Sequence, residues 1–296
     1  MTTLIDLGEH EVIQRILPML GSHSELVVGA GDDCAVCRIP NTGSDQVFTT
    51  DPVIEMVHFQ SLEKPERVGN KAAGRVLSDI AAMGAQPQWL LVNLVAPPET
   101  EFQYLEKIYE GMLALCSRFG ATVIGGDLAK GPVLELHVFG TGLLPSDAAL
   151  LRSGAKPGDS IFVTGALGGS LEGKHLDFVP RVEEGILLRE TGLVHSMMDI
   201  SDGLATDLRH ILKQSGVGAE LDANKIPRVG ALEQALYDGE DFELLLTASD
   251  VDELQSQWEK RFGTKLPMIG KITDRVDVLS MDGQVLESKA FEHFSE

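Results

Sequence analysis

The sequence predicts an α/β protein built as two halves, and three observations point to it. The chain of 296 residues is about two average domains long, near the size at which a single hydrophobic core stops growing. Segments with helical apolar spacing alternate with short apolar runs of strand type along its whole length. Both halves repeat an apolar run that ends in Asp and Gly, as in Gly125-Gly126-Asp127 and Ile200-Ser201-Asp202-Gly203. The turn-rich stretch from Gly142 to Asp159 lacks sustained periodicity and marks the junction, giving halves of 1–145 and 146–296.

In chain order, Val12, Ile13, Ile16, Leu17 and Leu20 predict a helix from Asp6 to Leu20 whose last turn Pro18 disturbs. A Gly-rich acidic loop, Gly29 to Asp33, precedes a β-type run, Gln46 to Thr50, that ends in Asp51. From Pro65 to Ala82 the apolar positions Val68, Ala72, Val76, Leu77 and Ile80 share one face. Pro at the start and Gly84 beyond the end bound that helix. Trp89 to Val95 reads as a buried strand and Glu99 to Phe119 as a second long helix. Ala121 to Ile124 then runs into Gly125-Gly126-Asp127, and Val133 to Thr141 alternates as a strand. The second half gives a strand at Ser160 to Thr164, a helix at Asp202 to Ser215 and a strand at Phe242 to Thr247. A helix after Ser249 and short β segments complete it.

With 43% hydrophobic and 23% charged residues the composition is globular, which excludes wholesale disorder. The net charge of −21 repels phosphodiester backbones and anionic lipid surfaces, so neither nucleic acid nor membrane is expected as a partner. A polyanion such as a nucleotide would need bound cations, which brings Mg²⁺ into view. Three cysteines make no disulfide scaffold, and the N-terminus shows no basic and apolar leader pattern. A reducing cytoplasm is the expected setting.

Asp79 falls in the last turn of the strongest helix, where the macrodipole disfavours an acidic side chain by ~0.3–1 kcal/mol. Two readings stand: an i, i+4 ion pair with Arg75, or a metal ligand. Asp33, Asp51 and Asp127 each flank a β-type run beside Gly or Thr, a placement that presents oxygens to a hard cation from strand ends. Asp199, Ser201 and Asp202 precede a helix; capping explains one of them, whereas a phosphate and its metal at that helix start would use all three. Convergent carboxylates would repel by about 1–4 kcal/mol per pair, so divalent cations would be needed to hold them together. No His/Cys pattern argues for zinc.

Cys34 and Cys37 form a C-x-x-C without a second pair or nearby His, and read as structural. Gly168 to His175, GGSLEGKH, approaches a phosphate-cradling loop, but His175 stands where a hydroxyl would meet Mg²⁺; it reads as a Gly-rich turn. Tyr237 to Thr247 reads as an acidic turn leading into a strand.

Seven segments in order, GDDCAV (31–36), TTDPVIEMVHF (49–59), LSDIAAMGAQP (77–87), GGDLAKGP (125–132), RSGAKPGDSIFVTGALG (152–168), DISDGLATDLRHIL (199–212) and DGEDFELLLT (238–247), resemble the thiamine-monophosphate kinase family. That family sits in an ATP-binding superfamily with aminoimidazole ribonucleotide synthetase, selenophosphate synthetase and the hydrogenase maturation factor HypE. The resemblance implies a two-domain aminoimidazole ribonucleotide synthetase-like α/β (α+β) fold, with the N-terminal sheets of a homodimer pairing into a β-barrel. It implies ATP-dependent phosphorylation of thiamine monophosphate to thiamine diphosphate, without a covalent enzyme intermediate and with no catalytic group beyond metal and substrate positioning.

By motif match, Asp33, Thr49, Thr50, Asp51, Asp79, Asp127, Asp199 and Asp202 would hold Mg²⁺. Tyr109, Gly126, Asp127, Arg152 and Ser201 would contact ATP. His58, Glu240 and Phe291 would face thiamine monophosphate, Phe291 within the AFEHF tail. The chain departs from the family at Leu128-Ala129, where Thr-Thr is usual, at Val76, where Asn is usual, and at Asp238, where Gly is usual. The stretch from Gly173 to Asp199 is short, which predicts a missing helix. These departures leave room for another small phosphate as acceptor, for another member of the superfamily, or for a silent nucleotide-binding dimer. The Cys-bearing motifs of selenophosphate synthetase and HypE are not found.

Overall fold

The structure, a computed structural model, describes residues 2–287; Phe291 lies outside the described residues. α1 (Leu4–Ile16) opens with Thr3 and Asp6 exchanging capping hydrogen bonds. It stops four residues short of the predicted Leu20, because Pro18 converts the last turn into a 3₁₀ turn over Leu17–Met19.

The first half then runs β1 (Leu26–Val28), β2 (Ala35–Ile39), β3 (Ser44–Ile54), α2 (Pro65–Ala82), β4 (Gln86–Ala96), α3 (Phe102–Arg118), β5 (Thr122–Lys130) and β6 (Glu135–Pro145). Its sheet has the order β1-β2-β3-β6-β4-β5, antiparallel throughout except for the parallel β4–β5 pair. Helix α2 covers one face, burying Val76, Leu77 and Ile80 against Val47, Leu90 and Val138. Glycine permits α3 to lie close: a Cβ at Gly69 would meet the Ile108 carbonyl oxygen at 1.9 Å, and one at Gly111 the Glu66 carbonyl oxygen at 2.0 Å. Along β4, Leu90, Val92 and Leu94 are buried while Trp89, Leu91 and Asn93 face outward. Among the described residues of the one chain the sheet is open, with β1 and β5 as edges, and closes no barrel.

The second half comprises β7 (Ser160–Val163), α4 (Lys174–Asp177), α5 (Val182–Thr191), β8 (Val194–Asp199), α6 (Leu204–Ser215), β9 (Gly218–Leu221), α7 (Leu232–Tyr237), β10 (Leu244–Ala248), α8 (Val251–Phe262), β11 (Met268–Thr273), β12 (Leu279–Met281) and β13 (Gln284–Val285). The sheet order is β13-β12-β9-β11-β7-β10-β8, mixed through one parallel pair, β12–β9. The stretch between Gly173 and Asp199 carries the short α4 and the ten-residue α5. Strands β7 and β10 are buried on both faces, by α6 on one side and by α5 and α8 on the other. That double burial is why they read as continuous apolar runs.

Helix α2 joins the halves. It packs on β3 and β6 of the first sheet and on α4, α5 and β8 of the second half. Its last residues, Ala81 and Ala82, belong to the core beneath α5 and α8. No described helix is long and apolar enough to cross a membrane.

Candidate active site

The carboxylates gather where α2 meets the second half. Carboxylate oxygens of Asp33, from the loop before β2, Asp79, from the last turn of α2, and Asp199, the last residue of β8, lie within 4.8 Å of one another. Thr49 on β3 donates its hydroxyl to Asp79 at 2.5 Å, and Ser78 donates to Asp199 at 2.6 Å. Burial, and after it the charges of Asp51, Asp199 and Asp33, push the Asp79 carboxyl far above the usual range. Burial and Asp33 raise Asp199 to about 7, and burial raises Asp33 despite Arg152 beside it.

This donor set fits a hard divalent cation. It offers three carboxylates and a hydroxyl, with like charges that an ion would relieve, and among the described residues the buried Oδ2 of Asp33 has no hydrogen-bond partner. Arg152 guards the second-half side, its Nη2 donating to Asp33 Oδ1 at 2.6 Å and its backbone N–H reaching Asp32.

Of the two readings of Asp79, the i, i+4 ion pair with Arg75 does not form among the described residues. Arg75 turns the other way, donating through Nη2 to Asp51 Oδ1 at 2.8 Å and through Nη1 to Glu240 Oε1 at 3.4 Å. Glu240 is the hub of a second cluster. Its Oε2 lies 2.7 Å from the fully buried Lys71 ammonium and 3.0 Å from His175, and Lys71 also donates to the His58 carbonyl. Burial opposes ionisation of Glu240, but His175 and Lys71 outweigh it and hold its carboxyl down at about 2. Glu240 and Phe242 both adopt left-handed backbone, with φ of 52° and 51°. Their N–H groups bond the carbonyls of Ser201 and Ile200, which fixes the turn beside Asp199.

A cavity of about 250 Å³ opens here, lined among others by His58, Arg75, Ser201, Asp202, Asp238, Glu240 and Phe242. The structure therefore assembles Asp33, Thr49, Asp51, Asp79, Arg152 and Asp199 in one place, with His58, Ser201, Asp202 and Glu240 at the adjoining cavity.

Other expected residues fall elsewhere. Tyr109, Gly126 and Asp127 share a separate groove of about 550 Å³ between α3 and the exposed edge strand β5, and Asp127 does not join the carboxylate trio. Thr50 is exposed. Asp202 forms a trio with Asp207 and His210 on α6. The N-cap of α6 is Gly203, with no side-chain cap, so neither Ser201 nor Asp202 caps it; Asp207 instead accepts the Asp202 N–H at 3.1 Å. Cys34 is a free buried thiol raised by its burial, in keeping with a structural role. In the GGSLEGKH turn, Lys174 bonds the Ala166 carbonyl and Glu243 rather than offering itself to a phosphate.

Sequence reasoning missed Lys71, Ser78 and the new role of Arg75. One signal was available: Lys71, Arg75 and Asp79 are spaced four apart, a polar stripe running down a helix face that is otherwise buried.

Residues 31–144 match the family model of the AIR synthase related protein, N-terminal domain, and residues 156–279 match that of its C-terminal domain. The thiamine-monophosphate kinase of Rhodopirellula baltica is 37% identical over 273 residues, covering 85% of each chain. That of Escherichia coli strain K12 is 33% identical, covering 97% of this chain and 98% of its own. The solved structure of AaThiL complexed with AMPPCP and TMP aligns with a TM-score of 0.88 at 29% identity over 99% of both chains. The hydrogenase maturation protein HypE in complex with ATP, at 19% identity and a TM-score of 0.71, shares the fold. The chain belongs to the thiamine-monophosphate kinase family, within the AIR synthase related proteins.

Proposed function

We propose that the chain transfers the γ-phosphoryl group of ATP to the phosphate of thiamine monophosphate, giving thiamine diphosphate and ADP. The observation that carries this reading is the carboxylate trio, drawn from both halves and set beside a cavity whose wall includes Asp202, Asp238, Glu240 and Phe242. An acidic and aromatic wall suits a cationic thiazolium ring. The likeness of the whole chain to a relative solved with an ATP analogue and TMP supports the same pair of substrates.

Here an anion must meet an anion, so positioning and charge neutralisation carry the catalysis. Asp33, Thr49, Thr50, Asp51, Asp79, Asp127, Asp199 and Asp202 would hold Mg²⁺, which when bound neutralises the transferring phosphates. Arg152 and Ser201 contact the nucleotide from the second half, and Tyr109 and Gly126 from the β5 groove. Arg152 also favours the ionised form of Asp33 against its burial and orients it. His58 and Glu240 orient the acceptor, and Ser78 fixes the Asp199 carboxylate. No side chain forms a bond to phosphorus in this scheme.

The two domains are 1–145 and 146–296. A homodimer, closing a barrel with the first sheets of two subunits, would cover the outward residues Trp89 and Leu91 together with the exposed Ile124 of β5. A cytoplasmic setting follows from the substrates.

Incubating the purified protein with ATP, Mg²⁺ and thiamine monophosphate, then chromatographing the thiamine esters, tests the reading. Thiamine diphosphate and ADP in equal amounts are expected. Bound ATP without thiamine diphosphate would leave a silent nucleotide-binding protein.

A further inference from the structure

We infer that Arg75 is the receptor for the acceptor's own phosphate and so selects a phosphorylated substrate over the free alcohol. This rests on the acceptor cavity assigned above. Arg75 is the one arginine or lysine among the described residues lining that cavity, whose ionised wall is otherwise acidic. The other nearby amine, Lys71, is fully buried and closed off behind Glu240.

The geometry places the guanidinium at the border between two charge environments. On one side Nη2 reaches Asp51, whose charge acts on Asp79 of the carboxylate trio; on the other Nη1 reaches Glu240 in the cavity wall. Arg75 also lies one helical turn before Asp79, so the two groups rise from one face of α2. A phosphate attacking the end of a triphosphate must sit at that border.

The donor count agrees. A guanidinium offers five N–H groups in a planar fork suited to phosphate. Among the described residues Arg75 uses two, one of them at a long 3.4 Å, and its buried Nε has no partner. A structural clamp with that much unused capacity is poorly satisfied, whereas phosphate oxygens in the cavity would take up the Nη hydrogens that remain free. The cavity then recognises a ligand with two unlike ends, its cationic ring at Glu240 and its anion at Arg75.

The experiment compares thiamine with thiamine monophosphate by calorimetry, in the presence of Mg²⁺, on the wild-type protein and on Arg75→Gln and Arg75→Lys. Wild type is expected to bind the monophosphate more tightly than thiamine. Arg75→Gln is expected to weaken the monophosphate by ~10- to 100-fold and thiamine by less than ~3-fold, the loss of a charge-assisted fork. KM for thiamine monophosphate should rise with it while KM for ATP stays within ~3-fold, and Arg75→Lys should recover part of the loss. Equal weakening of both ligands would make Arg75 a prop for Asp51 and Glu240 and overturn the inference, as would unchanged monophosphate binding. If Arg75→Gln does not fold by circular dichroism, Arg75→Lys decides: several-fold weaker monophosphate with unchanged thiamine supports the receptor, and no change overturns it. Wild-type protein that turns over thiamine monophosphate while the variants bind it normally sinks Arg75 alone. Wild-type protein that binds no thiamine monophosphate removes the acceptor, and the receptor with it.

Discussion

Ser78 on α2 donates a 2.6 Å hydrogen bond to Asp199 at the end of β8, tying the two halves together inside the carboxylate cluster. Both residues are buried, and the bond favours the ionised form of a carboxylate that its surroundings otherwise push toward neutrality. One helix thus supplies a carboxylate of the trio, the hydroxyl that anchors another, and much of the packing between halves.

Ser78→Ala removes that bond without adding bulk. Hydrogen bonds to charged groups contribute about 1.5–3 kcal/mol, so the metal-free protein should lose roughly that much stability in urea denaturation near pH 8. An unchanged midpoint would show that the bond contributes nothing to holding the halves together.

The pH dependence of the metal-free protein should run opposite to that of an ordinary acidic protein. Asp32 and Asp241 sit at about 6 and Asp199 at about 7, against a free value of 3.8. Burial comes first among the causes for each. The folded state therefore keeps protons that the unfolded state has released, and stability falls as pH rises from about 4 to 7. Glu240 works the other way: held at about 2, its contribution is present above 4.5 and is lost as pH drops below that. The melting temperature in a chelator should decline between about pH 4 and pH 7; a rising curve would contradict the raised carboxyl groups of the buried cluster.

Asp79→Asn separates stability from activity. Removing a carboxyl whose ionised form burial and the charges of Asp51, Asp199 and Asp33 oppose should raise the melting temperature of the metal-free protein near pH 8. The same change should lower kcat by at least ~10², as should Asp51→Asn and Asp127→Asn, since losing one charge-stabilising group has about that effect. Retained activity with intact circular dichroism would remove the residue from the site.

Arg152→Ala should be severe for a different reason. It leaves Asp33, whose side chain is 1% exposed, without its cationic partner, and breaking such a buried pair costs about 3–5 kcal/mol. Arg152→Lys should recover little of it, because two guanidinium N–H groups reach the same Asp33 oxygen, at 2.6 and 3.2 Å. Chemical denaturation measures both, and equal stability of wild type and Arg152→Ala would refute the pairing.

The long elements were legible because their signals are local. Helix α2 shows an unbroken 3.6-residue period and a starting Pro, and it spans Pro65–Ala82 as the pattern says. Strand β1, three residues long, carries too little pattern to see, and α5 escaped notice because its apolar residues mark no single face. Within the site, Asp33, Asp79 and Asp199 stood out as acidic residues at strand and helix ends. Which way Arg75 points was not legible: its spacing to Asp79 is right for an ion pair, but Asp51 and Glu240, 24 and 165 residues away in sequence, compete for it and win. The N-cap of α6 misled for a related reason, since Asp207 reaches back to the Asp202 N–H and Gly203 opens the helix.

The central claim is that carboxylates from both halves share divalent cations beside the nucleotide. A crystal grown with Mn²⁺ and AMPPCP, measured for anomalous scattering, addresses it directly. The account predicts anomalous peaks within coordination distance of Asp33, Asp79 and Asp199, next to the analogue's phosphates. Peaks elsewhere, or a bound analogue with those three carboxylates unligated and Asp33 still held only by Arg152, would contradict it.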